Sequence, residues 1–280
     1  MTAESRKSRA ILITGCSSGI GLCVADGLKQ RGYRVLASAR QAADVQKLQA
    51  RGHETVQLDL ADPHSIQQAV ESVLDKTGGE LYGLFNNGGF GQAGAVEDLS
   101  REAIRRQFET NVFGWIELTN LLLPVMRRQG FERIIQNSSV LGLAAMPYRG
   151  AYNASKFAIE GFSDTLRLEL QGTDIFVSLI QPGPIESRFR ANSLKVFLAA
   201  DDHANSVHRQ HYQAVLSRLE NPAPASRFTL GPEHVLKRVI LALESAHPKA
   251  RYPVTVPTYL FSGLKRILPT SLLDRILRSV

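Results

Sequence analysis

The segment Thr14-Gly15-Cys16-Ser17-Ser18-Gly19-Ile20-Gly21 decides the fold class of this 280-residue chain. Residues 10–14 before it are apolar and typical of a buried strand, and residues 19–31 have helical spacing. Glycines between a strand and a helix permit a tight turn and let the backbone approach a ligand. The helix that follows offers free N–H groups and the positive end of its dipole to phosphates. The segment therefore predicts a phosphate-binding strand–turn–helix unit.

The chain beyond this turn continues to alternate strand and helix patterns. Short apolar runs predict further strands at 33–38, 55–58, 81–85, 133–137 and 175–180, and helical patterns lie at 42–50, 63–76, 101–128 and 151–170. Such an order favours a parallel sheet covered by helices on both faces. We therefore expect an α/β fold with a doubly wound parallel sheet of Rossmann type.

The pattern changes after Pro182-Gly183-Pro184. Residues 187–231 are polar and interrupted by prolines, which is typical of a lid rather than a separate domain. A helix is expected at 232–244 and a last strand at 252–256. The chain length suits one domain, with a core at 10–187 and a lid and C-terminal extension at 188–280.

Composition narrows the class of protein. Hydrophobic residues make up 44% of the chain and charged residues 21%, as in ordinary globular proteins. The net charge of +7 is scattered and accompanies no nucleic-acid motif, so we expect no nucleic-acid partner. The two cysteines, Cys16 and Cys23, are too few for a disulfide framework, and no run is long enough for a signal peptide or a membrane span. We expect a cytoplasmic protein.

The end of the second predicted strand bears on the choice of dinucleotide. An acidic residue there binds the ribose 2′-hydroxyl of NAD, whereas an arginine suits a 2′-phosphate. The chain reads Ala37-Ser38-Ala39-Arg40 and has no acid at this point. Arg40 therefore favours NADP(H), although it could also be a solvated surface residue.

Tyr152 and Lys156 form a candidate proton-transfer pair. A tyrosine has a pKa of about 10 and is a poor acid or base at neutral pH. On a helix, residues four apart share one face, so the ammonium of Lys156 is placed to lower the pKa of Tyr152. Ser139 follows the fifth predicted strand, at the carboxyl edge where α/β sheets bind ligands. It is placed to bond a substrate oxygen.

The order of these motifs resembles the short-chain dehydrogenases/reductases. The resemblance runs over residues 10–187 and also includes Asn86-Asn87-Gly88-Gly89, Asn111 and Pro182-Gly183. It implies a Rossmann-type fold and hydride transfer from a nicotinamide cofactor. It also implies that Tyr152 exchanges the proton, Ser139 orients the substrate oxygen, Lys156 holds the nicotinamide ribose and Asn111 anchors a water.

The same resemblance implies a set of cofactor-binding residues. Asp59 would contact adenine, Asn87 would border the cofactor, and the segment from Pro182 to Ser187 would line the nicotinamide. The full expected set is Gly15, Ser17, Ser18, Gly19, Ile20, Gly21, Arg40, Asp59, Asn87, Tyr152, Lys156, Pro182, Gly183, Ile185 and Ser187.

Within the family, the glycine turn and residues 182–186 resemble hydroxysteroid and retinol dehydrogenases. The C-terminal stretches 251–255 and 264–269 resemble bacterial NADP-dependent aldehyde reductases. The segment from Leu141 to Tyr148 is apolar, and Phe90 follows the fourth-strand turn. If these residues face the nicotinamide, the substrate is a hydrophobic aldehyde or ketone rather than a sugar or an acid; ordinary core packing is the alternative.

The C-terminal tail has helical spacing and a basic character. Its cations Lys265, Arg266, Arg275 and Arg278 oppose only Asp274. A basic amphipathic segment can bind an anionic membrane surface, and the alternatives are a helix over the substrate cleft or a dimer contact.

The family resemblance implies a homodimer or homotetramer. His203, His208 and His211 suggest a metal site, but hydride transfer needs none, and we expect no metal.

The sequence therefore predicts an NADP(H)-dependent oxidoreductase that reduces a hydrophobic aldehyde or ketone to the alcohol, or catalyses the reverse. Two alternatives stay open: a 3-oxoacyl carrier-protein reductase that docks an acidic carrier, and a non-catalytic NADP-binding regulator. A regulator would need neither Tyr152 nor Lys156, and both are present.

Overall fold

The structure of the chain is a computed structural model that describes residues 9–199, 205–221, 223–224 and 226–278. A parallel sheet forms its centre, with the strand order β3-β2-β1-β4-β5-β6-β7. The strands are β1 Ala10–Ile13, β2 Arg34–Ala39, β3 Glu54–Gln57, β4 Gly83–Asn86, β5 Arg133–Asn137, β6 Phe176–Gln181 and β7 Arg251–Pro253. This order reverses direction at β1, and the doubly wound fold predicted from the sequence is confirmed.

Helices cover both faces of the sheet. They are α1 Gly19–Gln30, α2 Ala42–Ala50, α3 Pro63–Thr77, α4 Arg101–Phe108, α5 Gly114–Gln129, α6 Gly150–Glu169, α7 Phe189–Leu198, α8 Arg209–Glu220, α9 Glu233–Glu244, α10 Val256–Ile267 and α11 Thr270–Arg278.

Alternation along the strands divides the core into two layers. In β1, Leu12 faces a cluster with Trp115 of α5, whereas Ile11 and Ile13 face the opposite cluster with Val24 of α1. All five side chains are essentially inaccessible to solvent. Because both of its faces are covered, β1 is apolar throughout instead of alternating with polar residues, whereas the edge strand β3 is polar and largely exposed.

The helix predicted at 101–128 is not continuous. It consists of α4, a π-helical turn at Glu109–Phe113 and α5. A π turn holds one extra residue, and it changes the direction in which the side chains on either side of it point. Asn111 lies inside this turn, so the interruption falls at a predicted site residue.

The lid contains more helix than the sequence indicated, whereas the tail is helical as its spacing predicted. The polar segment 187–231 includes α7 and α8, whose Phe197, Tyr212 and Val215 pack with Ala93 and Ala95 of the core. The tail forms α10 and α11 after the short strand β7. Among the described residues, no helix is long and apolar enough to cross a membrane.

Candidate active site

The glycine turn lies at the carboxyl end of β1 and is packed too tightly for side chains. Gly15 has a φ of +71°, and a β-carbon there would lie 2.5 Å from the α-carbon of Gly88. At Gly21 the same carbon would lie 2.3 Å from the carbonyl oxygen of Gly15. Thr14 fixes the neighbouring loop, because its Oγ1 accepts from the backbone N–H groups of Asn87 at 2.8 Å and Gly88 at 2.9 Å.

The start of α1 suits a diphosphate. Ser18 precedes the helix without capping it through its side chain, and the first turn contains no acid. The first backbone N–H groups of the helix therefore stay available to an anion, with the favourable end of the dipole behind them. Ser17 is exposed and Ile20 half-buried at this position. The turn therefore has the shape and the free N–H groups that a phosphate needs, and its role in binding a dinucleotide stays a prediction.

Arg40 and Asp59 lie at the ends of neighbouring strands. Arg40 directly follows β2 and is exposed, and its carbonyl oxygen accepts from Gln57 Nε2 at 3.2 Å. Asp59 follows β3, and its Oδ1 accepts from the backbone of Ala61 at 3.0 Å. The glycine turn meets the same edge, because Cys16 N donates to the carbonyl oxygen of Ser38 at 2.7 Å. These residues are therefore brought to one side of the turn.

Tyr152 and Lys156 lie on α6, one helical turn apart. Lys156 Nζ donates to the carbonyl oxygen of Asn137, at the end of β5, at 2.7 Å. The same ammonium lies 4.4 Å from the ring centroid of Trp115 and 5.7 Å from that of Tyr152. Ser139 lies beside Tyr152 and accepts from the backbone of Leu141 at 3.1 Å. The three residues expected to carry the chemistry are thus gathered at the carboxyl edge of the sheet.

The electrostatics of this group differ from the expectation. Burial raises the pKa of Tyr152 to about 12, and the neighbouring Ser139 and Arg149 lower it only in part. Burial also lowers the pKa of Lys156 to about 7, against the opposing charge of Glu160. The expectation that Lys156 lowers the pKa of Tyr152 is not met in the chain without ligands, because helical spacing does not report how strongly burial disfavours both charged forms.

Asn111 is fixed by the loop after β4. Its Oδ1 accepts from Phe90 N at 3.1 Å, and its Nδ2 donates to Phe90 O at 2.9 Å. Its Nδ2 also lies 3.5 Å from Ser155 Oγ on α6. The π turn therefore aims Asn111 between the β4 loop and the helix of the tyrosine.

The loop after β6 connects the predicted cofactor and substrate regions. Pro182 O accepts from Val140 N at 2.7 Å, and Ile185 forms a bridge with Leu230. Gly183 is packed against Thr255, since a β-carbon at position 183 would lie 2.1 Å from Oγ1 of Thr255. Ser187 lies against the glycine turn, with its β-carbon 3.0 Å from where a β-carbon of Gly19 would be.

Two residues of the site were missed in the sequence. Phe189, the first residue of α7, contacts Tyr152 with ring centroids 5.2 Å apart and an angle of 58° between the ring planes. Glu160 accepts from Ser138 Oγ at 2.6 Å and from Gln181 Nε2 at 2.8 Å. The four-residue spacing from Lys156 could have indicated Glu160, whereas nothing in the polar lid singles out Phe189.

The tail covers the site from the other side. Phe261 of α10 and Leu277 of α11 are buried in a cluster with Val140 and Leu141, and Tyr152 packs against this cluster. Of the three roles considered for the tail, its inner face therefore takes the second one and packs over the candidate site. Val280 lies outside the described residues.

The histidines of the lid form an aromatic cluster. The ring of His211 stacks on Tyr148 at 5.2 Å, and His208 Nε2 lies 2.5 Å from Glu97 Oε1. His203 lies outside the described residues. Within the described part of the chain, no group of three or more His, Cys, Asp or Glu side chains could hold a metal ion.

The chain is similar to known oxidoreductases over nearly its whole length. A model of the short chain dehydrogenase family matches residues 9–195. The oxidoreductase YbbO of Escherichia coli (strain K12) is 45% identical over 270 residues, which cover 96% of this chain and 94% of that protein. Human retinol dehydrogenase 8 is 32% identical over 272 residues, covering 92% of this chain and 85% of that protein.

Solved structures share the fold. A short-chain dehydrogenase from Streptomyces avermitilis is 25% identical, with a TM-score of 0.76 over 96% of this chain and 93% of that chain. A variant of the actinorhodin polyketide ketoreductase, solved with NADPH, is 26% identical, with a TM-score of 0.71 over 91% of this chain and 97% of that chain.

Proposed function

The chain belongs to the short-chain dehydrogenase family, and on this premise we propose that it is an NADP(H)-dependent oxidoreductase of hydrophobic aldehydes or ketones. The observation that carries the proposal is the grouping of Ser139, Tyr152 and Lys156 at the carboxyl edge of the sheet, beside a glycine turn that fits a dinucleotide. We place the enzyme in the cytoplasm.

The residues divide the reaction between them. The reduced nicotinamide supplies a hydride to the carbonyl carbon when it is bound. Tyr152 gives its phenolic proton to the carbonyl oxygen, and Ser139 holds that oxygen by a hydrogen bond. Lys156, fixed by Asn137 O, supplies positive charge beside the phenolate that forms. Asn111, held by Phe90, is placed to anchor the water that returns a proton.

Arg40 supports the choice of NADP(H). It is exposed at the end of β2, and no acidic residue stands in the positions before it. A guanidinium group can bind a phosphate through two parallel hydrogen bonds. NADP(H) is therefore preferred over NAD(H).

The apolar surroundings of Tyr152 support a hydrophobic substrate. Phe189 packs against its ring in a tilted contact, and Leu141, Met146 and Leu264 belong to or pack against the cluster that Tyr152 joins. A carbonyl compound with an apolar chain would take the place of Phe189 against the ring of Tyr152 and would exclude water from the cleft.

The proposal is tested by following NADPH oxidation with aldehydes, retinal, steroid ketones and 3-oxoacyl thioesters, with NADH in parallel. We expect turnover with NADPH on aldehydes or ketones of one hydrophobic class. Turnover confined to 3-oxoacyl thioesters would favour the carrier-protein reductase. Intact NADPH binding without turnover of any substrate would favour the regulator.

We also propose that the outer face of α10 binds an anionic membrane surface. Val256, Tyr259, Leu260 and Ile267 are 59, 51, 53 and 79% exposed, and their spacing puts them on one face of the helix. Arg266 is exposed in the last turn of the same helix, about one turn and a half after Leu260. The ammonium of Lys265 lies instead 4.6 Å from the ring centroid of Phe157. Apolar side chains beside cations are the features that such surfaces bind.

Flotation with vesicles of phosphatidylcholine, with and without phosphatidylglycerol, tests this contact. The full chain is expected to float with the anionic vesicles, and Leu260→Glu to stay behind. Leu241→Glu changes an equally exposed leucine on α9 and is expected to float. Equal behaviour of the two variants would remove the membrane proposal.

Exposed apolar residues on α5 and α6 support a homodimer or homotetramer. Phe162 and Leu168 of α6 are 53 and 58% exposed, and Leu121 of α5 is 38% exposed. A second copy of the chain would cover them. Light scattering of the wild type and of Phe162→Glu tests this, and a monomeric wild type would contradict it.

A further inference from the structure

Three arginines lie around the entrance to the candidate active site. Arg149 is the residue that precedes α6, Arg190 lies in the first turn of α7, and Arg218 lies near the end of α8. We call Arg149, Arg190 and Arg218 the arginine cluster. All three side chains are half-buried, and none forms a salt bridge with an acid of the described residues.

Each arginine is tied to the site by its neighbours. Arg149 follows Tyr148, whose ring lies 6.2 Å from that of Tyr212 on α8. Arg190 follows Phe189, whose ring contacts that of Tyr152, and it donates to the backbone of Arg218. The cluster therefore lies where the lid helices α7 and α8 meet the start of α6.

Hydrogen bonding leaves two of the three guanidinium groups poorly satisfied. Arg190 donates to the carbonyl oxygens of Arg218, at 3.5 Å, and of Ala223. Arg149 donates to the sulfur of Met146 at 3.3 Å, which is a weak acceptor. In the described part of the chain, Arg218 takes part in the contact with Arg190 only through its backbone oxygen, and its guanidinium donates no hydrogen bond to another residue. The guanidinium groups of Arg149 and Arg218 therefore keep N–H donors that an anion could accept from.

The electrostatics point in the same direction. Burial, together with the charge of Arg218, lowers the pKa of Arg149 to about 10. Burial and the charge of Arg190 lower the pKa of Arg218. Arg149 also stands at the N-terminus of α6, whose first turn has no acid, although a cation is unfavourable there. The repulsion within the cluster would be relieved by one bound anion.

We propose that the arginine cluster is an anion-binding subsite for the distal end of the substrate, with Arg149 and Arg218 as its ligands and Arg190 as the residue that holds Arg218 in place. The substrate is then a carbonyl compound with an apolar middle and a carboxylate or phosphate at its far end. This inference rests on the proposed reductase function and narrows it. It also revises the expectation, made from the apolar segment after Ser139, that the substrate is not an acid.

Carboxylates and phosphates share the geometry that a guanidinium recognises. The two are distinguished by matched substrates. A series of ω-oxo carboxylic acids of increasing length is compared with their methyl esters and with the ω-oxoalkyl phosphates of the same length, with NADPH as the reductant. The ester keeps the apolar chain and the reacting aldehyde and lacks only the charge.

The free acid or the phosphate is expected to have a kcat/KM about tenfold or more above that of the ester at one chain length. Arg149→Gln and Arg218→Gln should each remove this preference through KM, and the quantity compared is the ratio of acid to ester kcat/KM within each variant, because Arg149 also acts on the pKa of Tyr152. Arg209→Gln, an exposed arginine on α8, is the matched control and should keep the preference. Both cluster variants should unfold at the same temperature as the wild type or higher, because they remove a repelled cation. A structural role would instead lower it.

The outcomes separate this inference from the proposed function. Equal kcat/KM for acid, phosphate and ester at every length would overturn the subsite and leave the reductase in place. Without turnover of any aldehyde, the subsite is judged by calorimetry with a non-reacting dicarboxylate. Binding that Arg149→Gln abolishes would support it, and no binding, or equal binding to the variant, would overturn it.

Discussion

Gly89 leaves the space that the carboxamide of Asn111 occupies. A β-carbon at position 89 would lie 2.8 Å from Asn111 Oδ1 and 3.3 Å from its Cγ. The carboxamide cannot retreat easily, because it makes two hydrogen bonds to the backbone of Phe90. A residue without a side chain therefore sets the position of an amide in the proposed proton relay.

Gly89→Ala should disturb this relay. The added methyl group displaces Asn111, and we expect kcat to fall roughly 10- to 100-fold, because small misplacements in a site have large effects on rate. Steady-state kinetics and NADPH binding check this, with binding expected to be unchanged. Gly161→Ala on α6 is the control, since a β-carbon there meets no atom within 4 Å. Unchanged kcat in Gly89→Ala would show that Asn111 adjusts freely.

Tyr152→Phe should abolish turnover and spare cofactor binding. The change removes only the phenolic oxygen, so packing against Phe189 and the tail is kept. Loss of a general acid typically costs about 10²–10⁴-fold in rate. Single-turnover kinetics and NADPH titration measure the two effects separately. Turnover close to that of the wild type would mean that another group donates the proton.

Arg40→Gln should weaken NADPH binding without affecting NADH. The change removes the cation at the end of β2, and a charge-assisted pair with a phosphate is worth about 10- to 100-fold in affinity. The dissociation constants of both nucleotides are the measurement. Arg128→Gln, an exposed arginine at the end of α5, controls for the change in net charge. An equal loss for NADH would contradict a role at the 2′-phosphate.

Glu132 should make the stability of the protein depend on pH. Its side chain is inaccessible to solvent, and neither carboxylate oxygen makes a full hydrogen bond. Burial raises the pKa of Glu132 from 4.5 to about 7, and the backbone of Phe131 and the charge of Arg133 oppose this only in part. Below pH 4.5 the Glu132 side chain is protonated, and this neutral form makes its full contribution to the stability of the folded protein. That contribution is lost as the pH rises through about 7, where the buried carboxyl group loses its proton.

Glu132→Gln should therefore be more stable than the wild type at pH 8 by about 1–3 kcal/mol, and no more stable at pH 4.5. Urea unfolding at both pH values measures the difference. Glu80→Gln alters an exposed carboxylate and should show no such dependence. A gain of equal size at both pH values would assign the effect to packing instead of to charge.

The fold followed from the sequence because the central strands β1 and β4 are buried, largely apolar runs and the segments between the strands have helical patterns. The glycine turn was predicted correctly, since positions 15 and 21 accept no side chain. The π turn could not be predicted, because neither glycine nor proline marks residues 109–113. Its geometry comes from packing between the β4 loop and α6.

Proximity within the site was predictable, and its electrostatics were not. The spacing of Tyr152 and Lys156 placed both on one helical face, but the depth of burial set their pKa values. The contact of Phe189 with Tyr152 joins a lid helix to α6 across 37 residues of chain, which local patterns do not encode. The catalytic role of these residues stays a prediction.

The π turn at Glu109–Phe113 makes this part of the chain sensitive to length. Each residue of an α-helix turns the chain by about 100°, so removing one residue there would restore regular winding and point Asn111 away from Phe90. Substitutions on the outer surface of α4 and α5 leave this register intact, whereas a single insertion or deletion between 101 and 129 does not. In relatives that keep the activity, differences in chain length should therefore fall in the loop before α4 and not within this helical segment.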